Sequence, residues 1–186
     1  MKTALVLCGG RGTRLEGDVE KPLYPIANEP MVDRVCRALE ASAVARVRPV
    51  VSPNAPRTAA HVGTRYETIR TAGDGYVADL TTALETAGER PVLTVAADLP
   101  LLSGSVVDRL LNEYDGEGSL TVVVPRALKR EYGLSIDHGG EYVPAGLNVV
   151  DPTAEAEAVY TSRDVRLAVN VNTRRDVRVA EVLVCD

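Results

Sequence analysis

The chain has 186 residues, a length that suggests a single domain spanning residues 1–186. Apolar residues make up 45% of it, but Phe and Trp are absent, so Val, Leu and Ala must fill the core. A net charge of −5 argues against a nucleic-acid partner, which usually requires a basic surface. The apolar start is too short for a signal peptide and no apolar run could span a membrane, so we expect a cytoplasmic protein.

Strands and helices alternate in the first two thirds of the chain, which indicates βαβ units and a mostly parallel sheet. The predicted strands are a buried strand at 3–8, a strand at 47–51, a weaker strand at 66–71 and a strand at 91–97. A loop at 9–29 follows the first strand. The predicted helices are one opened by Pro30, a short one near 57–63, one from Tyr76 to about Thr86 ended by Gly88, and one capped by Ser103 that runs through Tyr114.

The last third has a different pattern, which predicts an antiparallel addition to the sheet. Its predicted elements are a strand at 120–124, a hairpin around His138–Gly140, extended segments at 147–150 and 167–171, and a final helix that Thr173 caps and that runs through Val184. The fold class is therefore α/β, with a mostly parallel central sheet and a mixed or antiparallel C-terminal part.

The thiol and imidazole side chains do not form a recognisable catalytic or metal-binding pattern. Cys8, Cys36 and Cys185 lack metal-ligand spacing, and the first two lie in apolar patterns typical of small buried residues. His61 and His138 lie in polar stretches away from every motif described below.

The first strand leads into a glycine-rich loop, Gly9-Gly10-Arg11-Gly12-Thr13-Arg14. Consecutive backbone N–H groups without side chains in the way are suited to a polyphosphate, and nearby arginines add positive charge. A Walker A string is absent, and Leu15 stands where a dinucleotide fingerprint needs its third glycine. The alternative is a flexible strand-to-helix turn with solvated arginines.

A second candidate is Asp98, at the carboxyl end of the predicted strand 91–97. Open α/β sheets bind ligands in the crevice at this edge, and a buried carboxylate is costly unless it is paired or holds a metal. An N-cap for the next helix is the alternative, although Ser103 is better placed for it.

The loop and the string Glu20-Lys21-Pro22-Leu23 together resemble the sugar-nucleotide and cofactor nucleotidyltransferases, whose sequences open with "GGxGTRL…KPL". The resemblance implies a Rossmann-like nucleotidyltransferase fold in which the loop wraps a nucleoside triphosphate. It also implies that Arg14 and Lys21 contact the phosphates and that Asp98 binds Mg²⁺. The catalytic residues implied are thus Arg14, Lys21 and Asp98.

Four further strings extend the resemblance over essentially the whole chain. They are residues 52–58 (SPNAPRT), 73–80 (GDGYVADL), 143–150 (VPAGLNVV) and 170–173 (NVNT). In this order they resemble the archaeal GTP:adenosylcobinamide-phosphate guanylyltransferases. The resemblance implies GTP and adenosylcobinamide phosphate as substrates, in the assembly of the cobalamin nucleotide loop. It does not decide between a monomer and a homo-oligomer.

The nucleotide-binding residues that we expect lie in these strings and in the strand end before the loop. They are Leu7, Cys8, Gly9, Gly10, Arg11, Gly12, Thr13, Arg14, Lys21, Ser52, Asn54, Gly73, Asp74, Gly75, Asp79, Gly146, Asn148 and Asn172. A carboxylate of Asp74 or Asp79 would accept from guanine N1–H and N2–H₂ and so exclude adenine. Asp74 is equally consistent with a helix cap, and Asp79 with a solvated position.

Three of these residues have structural alternatives of equal weight. Gly146 would allow a ligand to approach the backbone closely, or it is a bulge or turn glycine. Asn148 and Asn172 are polar residues among apolar strand positions, so each needs partners. They would complete a Mg²⁺ or phosphate site, or they would satisfy loop backbone.

The implied reaction is attack of an acceptor phosphate oxygen on the α-phosphorus of GTP, with pyrophosphate as the leaving group. An anionic phosphate needs no general base, so no Ser, Cys or His is expected to be catalytic. Two other functions remain open. A molybdenum-cofactor guanylyltransferase would differ in its acceptor, and a nucleotide-sensing subunit would keep the fold without turnover.

Overall fold

The computed structural model describes residues 1–9, 15, 19–136 and 139–185. The strands are β1 (Thr3–Leu7), β2 (Pro25–Ile26), β3 (Glu29–Pro30), β4 (Arg46–Val51), β5 (Ile69–Arg70), β6 (Val92–Ala96), β7 (Ser119–Pro125), β8 (Tyr142–Val150) and β9 (Glu157–Thr161). The helices are α1 (Met31–Glu40), α2 (Pro56–Val62), α3 (Tyr76–Ala87), α4 (Gly104–Glu113), α5 (Arg126–Glu131), α6 (Val165–Ala168) and α7 (Arg174–Cys185). A single 3₁₀ turn covers Lys21–Leu23.

Seven strands form one sheet in the order β5-β4-β1-β6-β8-β7-β9. The strands β5, β4, β1 and β6 are parallel, β8 runs antiparallel to β6 and to β7, and β9 is parallel to β7. The carboxyl ends of β1, β4, β6 and β7 therefore lie at the same edge, and β8 begins there. Ligands bind at this edge in open α/β sheets, and it is the edge at which the candidate residues gather.

Alternation along β1 divides the core between the two faces of the sheet. Ala4 and Val6 belong to the larger cluster, which the sheet forms with α1, α4 and α7. Leu5 belongs to the smaller cluster, together with Val50, Val92 and two residues of α3. Both faces of β1 are buried, as expected for a parallel strand that is covered on each side. The predicted strand 3–8 is confirmed as β1.

The predicted fold class is confirmed, because the mostly parallel part and the antiparallel addition are both present. Gly88 ends α3 in the left-handed conformation, at φ +67°, as predicted from its position. Ser103 occupies the N-cap position of α4, but its hydroxyl contacts Ser105 and Arg166 rather than capping the helix. Within the described parts of the chain, no helix is both long enough and apolar enough to cross a bilayer.

In the last third, one prediction was wrong and two elements, α5 and β9, were not predicted. The hairpin predicted around His138–Gly140 stays a prediction, because His138 lies outside the described residues. Earlier in the same connection, between β7 and β8, the chain forms α5, which was not predicted. The segment 167–171 was predicted to be extended, but its first residues belong to α6, which the Asp164 side chain caps by accepting from the Arg166 amide at 3.1 Å. Strand β9 was not predicted, and it forms the exposed edge of the sheet.

Candidate active site

A cavity of about 530 Å³ opens at the carboxyl edge of the sheet, on the face that α3 covers. It lies above the ends of β1, β4 and β6 and beside the middle of β8. Its lining contains Leu7, Gly9, Asn54, Gly73, Asp74, Gly75, Asp79, Gly146 and Asn148, together with Val50, Thr71, Tyr76 and Ala96. Nine residues of the predicted nucleotide-binding set thus line one cavity. The sequence had not indicated Thr71 or Tyr76.

The loop between β5 and α3 is held in place through the peptide groups of Gly73. The side-chain Nδ2 of Asn54 donates to the Gly73 carbonyl at 3.1 Å, and the Gly73 N–H donates to Asp79 Oδ1 at 2.9 Å. Gly73 has φ +81°, and an added Cβ would lie 2.7 Å from Asn54 Nδ2, so only glycine fits here. This loop forms a fixed wall of the cavity.

The two acidic candidates for base recognition differ in their surroundings. Asp79 is half-buried on the first turn of α3, and the Gly73 hydrogen bond fixes its carboxylate towards the cavity. Asp74 is exposed, and the N-cap of α3 is Gly75 without a side-chain cap. The interpretation of Asp74 as a helix cap is therefore wrong, and Asp79 is a loop-fixing residue rather than a solvated one.

The start of the glycine loop is tied to the end of β4. The Ser52 hydroxyl donates to the Gly9 carbonyl at 3.4 Å and accepts from the backbone N–H of Asn54 at 3.3 Å. A Cβ on Gly9 would lie 3.3 Å from Ser52 Oγ, so β1 and β4 approach closely at this point. Ser52 thus holds the Gly9 backbone and does not line the larger cavity.

A smaller cavity of about 90 Å³ adjoins the first one, with Leu7 and Ala96 lining both. It also contains Cys8, Lys21 and Asp98. Burial raises the pKa of the Cys8 thiol, and burial likewise raises the pKa of Cys36 to about 12. Both thiols are therefore neutral at physiological pH, and the prediction that they are small buried residues is confirmed.

Lys21 lies at the centre of the smaller cavity and joins three distant parts of the chain. Its ammonium Nζ lies 2.5 Å from Asp98 Oδ2 and 2.7 Å from Asn172 Oδ1. We call these three residues the lysine cluster. Each ammonium carries three protons, so two acceptors leave one proton for a ligand.

Asp98 has two oxygens in different surroundings. Oδ2 binds Lys21, whereas Oδ1 is buried and has no hydrogen-bond partner within the described chain. An orphaned buried carboxylate oxygen is costly, and a cation that arrives with the ligand would remove that cost. Asn148 Oδ1, in the wall of the larger cavity, is buried without a described partner too.

These oxygens are compatible with Mg²⁺, although the described residues contain no group of three His, Cys, Asp or Glu side chains that could hold a metal alone. Mg²⁺ usually binds through one or two carboxylates, with substrate phosphates and water completing its shell. Asp98 Oδ1 meets that requirement. Asn172 is less suited to a metal, because Lys21 already occupies its amide oxygen.

Asp176 positions Asn172, and the sequence reasoning missed it. Its carboxylate is fully buried and accepts from the N–H groups of Asn172 at 3.0 Å, Thr173 at 2.8 Å and Ser135 at 2.8 Å, and from the hydroxyls of Ser135 and Thr173. Burial raises the pKa of Asp176, but these hydrogen bonds outweigh it and hold that pKa below its usual value. The spacing Thr173-x-x-Asp176, a form of capping box, was the available signal.

Glu20 positions the turn that carries Lys21, and the sequence analysis did not identify it as a functional residue either. Its carboxylate accepts from the N–H groups of Arg57 at 2.9 Å and Thr58 at 2.6 Å, at the start of α2. Burial raises the pKa of Glu20, and the hydrogen bonds from Thr58 and Arg57 lower it by more. The turn that carries Lys21 is thereby fixed to α2.

Gly146 was interpreted either as a bulge glycine or as a place where a ligand approaches the backbone, and its position is compatible with both. It has φ +80° and lies beside a register shift between β7 and β8, so it is a bulge glycine. It also lines the larger cavity, and an added Cβ would lie 3.0 Å from the Ala96 Cβ and 3.2 Å from Asn170 Nδ2. Asn170 in turn bridges the Ala145 carbonyl and the buried Lys129 ammonium.

The rest of the predicted set lies outside the described residues. These are Gly10, Arg11, Gly12, Thr13 and Arg14, so their phosphate contacts stay predictions. Of the residues that flank this segment, Gly9 lines the larger cavity and Leu15 is buried in the core.

A glycine loop after β1 and a lysine–aspartate pair at the ligand-binding edge of an α/β sheet together define a nucleotidyltransferase. The chain belongs to the MobA-like NTP transferase domain family, whose model matches residues 4–173. It is similar along nearly its whole length to the adenosylcobinamide-phosphate guanylyltransferase of Methanocaldococcus jannaschii. The two are 33% identical over 195 residues, which cover 97% of this chain and 96% of that protein.

Other relatives share part of the sequence or the fold. The bifunctional protein GlmU of an Exiguobacterium species is 30% identical over 65% of this chain, which corresponds to 28% of GlmU. A Bacillus anthracis structure described as a glucose-1-phosphate thymidylyltransferase aligns with all of this chain at a TM-score of 0.71 and 12% identity. A CMP:2-keto-3-deoxy-manno-octonic acid synthetase complexed with CTP aligns at a TM-score of 0.67 and 15% identity, also over all of this chain. These two structures support the fold alone.

Proposed function

We propose that the protein is a cytoplasmic guanylyltransferase that transfers GMP from GTP to adenosylcobinamide phosphate. An oxygen of the acceptor phosphate forms a bond to the α-phosphorus of GTP, the bond from that phosphorus to the bridging oxygen of the β-phosphate breaks, and pyrophosphate leaves. The products are adenosylcobinamide-GDP and pyrophosphate. The observation that carries the proposal is the lysine cluster of Lys21, Asp98 and Asn172, which adjoins a cavity large enough for a nucleoside.

The larger cavity accommodates the guanine and its ribose in this proposal. Asp79 Oδ1 already accepts from Gly73, so the second oxygen of that carboxylate is the group that faces guanine N1–H and N2–H₂. Asp74 lines the same cavity and is the alternative acceptor. Adenine has an acceptor at N1 and cannot donate there, so either carboxylate favours guanine.

The smaller cavity accommodates the reacting phosphate. Lys21 directs its third proton at a phosphate oxygen, while Asp98 and Asn172 hold the ammonium in place. Mg²⁺ belongs to the proposal: Asp98 Oδ1 would hold it, and it would supply charge neutralisation for the phosphates. The loop amides and Arg14 complete the phosphate contacts.

Positioning and charge neutralisation account for the whole of catalysis in this scheme. The nucleophile is an anion at neutral pH, so no side chain has to remove a proton from it. This agrees with a cluster that holds a lysine, a carboxylate and an amide, and with thiols that stay neutral. The acceptor assignment draws its support from the similarity to the Methanocaldococcus jannaschii enzyme over 97% of the chain.

One experiment distinguishes this function from its two alternatives, a molybdenum-cofactor guanylyltransferase and a nucleotide-sensing subunit. The protein is incubated with Mg²⁺ and radiolabelled GTP, with adenosylcobinamide phosphate or with molybdenum cofactor in turn. We expect label transfer and pyrophosphate release with the first acceptor alone. Transfer to molybdenum cofactor alone would replace the acceptor, and GTP binding without transfer to either acceptor would indicate a sensing subunit. Arg14, Lys21 and Asp98 together favour the enzyme, because a sensor has no need for an aspartate poised to hold a metal.

A further inference from the structure

A third cavity, of about 350 Å³, lies outside the site described above. We call it the arginine cavity, because Arg126, Arg130 and Arg163 line it. Glu141 and the partly exposed Tyr142 belong to the same lining. These residues come from the start of α5, from the segment just after β9 and from the start of β8.

Within the described residues, several arginines of this protein form ion pairs with carboxylates, unlike the three guanidinium groups of the arginine cavity. Arg34, Arg48 and Arg166 each form an ion pair with a carboxylate. None of the three in the arginine cavity forms one with any residue that the structure describes. Arg126 Nε, moreover, is buried without a hydrogen-bond partner in the described chain.

The chain has 26 acidic side chains against 21 Lys and Arg, yet no described acidic side chain forms an ion pair with these three arginines. A buried guanidinium N–H without an acceptor is costly, and an anionic ligand removes that cost. The arginines also hold no obvious structural duty, since the backbone amide of Arg126, not its side chain, bonds the Glu141 carbonyl at 2.8 Å.

The topology of the sheet places the arginine cavity on the same edge as the lysine cluster. Pro125 ends β7, Thr161 ends β9 and Tyr142 begins β8, and this is the edge at which β6 ends before Asp98. The order β6-β8-β7 places β6 and β7 two strand spacings apart, about 10 Å. Val95 of β6 pairs with Leu147 of β8 and Pro125 of β7 pairs with Tyr142, so β7 also extends roughly 15 Å further along the sheet than β6. The larger cavity lies over β1, β4 and β6, and of the β8 residues it contacts Gly146 and Asn148 but none at the start of that strand.

This division of the edge decides which substrate the arginine cavity faces. GTP extends from the larger cavity to the lysine cluster, so the acceptor has to approach from the side of β8 and β7. The acceptor carries a phosphate monoester, which has a charge of about −1.5 to −2 at neutral pH. After the charge of Glu141 is taken into account, the arginine cavity keeps an excess of two positive charges.

We infer that the arginine cavity captures the phosphate monoester of the acceptor before it reaches the α-phosphorus of GTP. This inference rests on the proposed function. Arg126 supplies the buried N–H, and Arg130 and Arg163 supply exposed guanidinium groups that attract the dianion from solution. Tyr142, which is 46% exposed, offers a ring surface to the bulky part of the same molecule.

The test combines a double variant, Arg126→Gln with Arg163→Gln, and the single variant Arg130→Gln, whose side chain is exposed. Arg46→Gln is the matched control, because Arg46 is an exposed arginine at the amino end of β4, on the opposite edge of the sheet. We expect the double variant to raise the KM for adenosylcobinamide phosphate at least about 10-fold, since it removes two charge-assisted contacts. The kcat and the GTP affinity should stay within a factor of about two of the control.

A direct titration makes the test independent of turnover. Isopropyl phosphate, a small phosphate monoester, is added to ¹⁵N-labelled protein, and we expect amide shifts in residues 126–130 and 141–142 of the wild-type protein and not of the double variant. Shifts of equal size in both, or an acceptor KM that changes no more than in Arg46→Gln, would overturn the inference. If the double variant does not fold, the same two measurements are made on Arg130→Gln against Arg46→Gln.

Free pyrophosphate is a second source of phosphate groups, and product inhibition distinguishes it. Relief of pyrophosphate inhibition in the double variant, with an unchanged acceptor KM, would overturn the assignment to the acceptor. If the wild-type protein does not use adenosylcobinamide phosphate at all, the proposed function fails. In that case the isopropyl phosphate titration still decides whether the arginine cavity binds a phosphate monoester.

Discussion

Asp98 is the residue at which binding and chemistry separate most clearly. Asp98→Asn keeps the shape of the side chain but removes the charge that pairs with Lys21 and that Mg²⁺ requires. We expect turnover to fall on the order of 10²-fold or more, as when one preorganised charge stabiliser is removed. GTP affinity should fall much less, because the loop amides and Arg14 are unchanged. Pyrophosphate release measures the first quantity and calorimetry the second.

The control for this variant is Asp108→Asn, on α4, where the carboxylate accepts from the Ala43 amide at 2.7 Å and does not line either nucleotide cavity. Its turnover should match the wild-type value. Near-normal turnover in a folded Asp98→Asn protein would mean that the metal binds elsewhere. Asn148, with its buried and unpartnered Oδ1, would then be the next residue to replace.

Gly9 and Gly146 both line the larger cavity, but their replacement should have different consequences. Gly9→Ala adds a Cβ at 3.3 Å from Ser52 Oγ, a contact that a small shift relieves. We therefore expect weaker GTP binding with little change in stability. Gly146→Ala places alanine at φ +80° against Ala96 and Asn170, so it should also lower the free energy of unfolding by about 1–2 kcal/mol. Calorimetry with GTP and urea unfolding of both variants test this.

Unchanged GTP affinity in a folded Gly9→Ala protein would show that the ligand does not approach this backbone. For Gly146, an unchanged urea midpoint would contradict the strain that its φ of +80° implies. Because the two glycines meet different neighbours, each variant serves as the control for the other.

Sequence alone could predict the chemistry-bearing residues of the site better than the residues that hold them. Lys21 and Asp98 were found because they lie in a motif and at a strand end, and the structure brings them within 2.5 Å of each other. Asp176 and Glu20 were missed, because each acts by accepting from backbone N–H groups of distant segments. Such a role depends on the tertiary fold, and the one local signal was the capping-box spacing Thr173-x-x-Asp176, which does not indicate the bond to Ser135.

At the level of elements, local pattern was sufficient where strands and helices alternate. Between Arg126 and Val171 it was sufficient for the extended segment 147–150, which lies within β8, but not for the neighbouring elements. The run 126–131 consists largely of good helix formers, but it is only six residues long, too short for a helical period to be recognised. The apolar run 167–171 fits a strand or a buried helix equally well, and the Asp164 cap decides for α6. Strand β9 has exposed side chains, so it lacks the apolar alternation that would have indicated it.

At the level of elements, a testable prediction concerns Asp176, which lies in the first turn of α7. Asp176→Asn weakens the hydrogen bonds that hold Asn172, Thr173 and Ser135, so we expect a loss of at least about 2 kcal/mol in the free energy of unfolding at neutral pH. Turnover per folded molecule should also fall, because Asn172 holds Lys21. Chemical denaturation and steady-state kinetics at saturating GTP measure the two effects.

The pH dependence has a defined sign. The hydrogen bonds around Asp176 hold its pKa below the usual value, so its stabilisation is present above the unfolded-state pKa of about 4 and is lost as pH falls further. The stability gap between wild-type protein and Asp176→Asn should therefore be constant near neutral pH and shrink below about pH 4. A gap that widens in acid would contradict this.

Asp164→Asn is the matched control for the functional effect. Asp164 also caps a helix through its carboxylate, and hydrogen bonds from Arg166 hold its pKa low, but it does not contact the lysine cluster in the described chain. We expect this variant to lose stability without a change in turnover per folded molecule. Equal effects of the two variants on turnover would assign Asp176 a general structural role.

At the scale of the whole molecule, the site depends on segments from both ends of the chain. Lys21 lies near the start, Asp98 in the middle and Asn172 near the end, and their contacts close only when the sheet is complete. The larger cavity likewise requires residues from β1 to β8. A ligand that bridges both cavities should therefore stabilise the protein as a unit, because it binds the folded chain and not the unfolded one.

This linkage gives a whole-molecule test of guanine selection. At a GTP concentration 100 times its Kd, the free energy of unfolding should rise by about 2.7 kcal/mol, which raises the Tm on the order of 5–10 °C for a chain of this size. The same concentration of ATP should give a much smaller rise, because adenine N1 does not donate to a carboxylate. Thermal unfolding followed by circular dichroism measures both shifts, and calorimetry gives the two affinities directly.

Asp79→Asn and Asp74→Asn then identify the carboxylate that reads the base, because only the loss of that one should bring the GTP shift down to the ATP shift. Equal shifts with GTP and ATP in the wild-type protein would contradict the guanine assignment, whichever carboxylate is present.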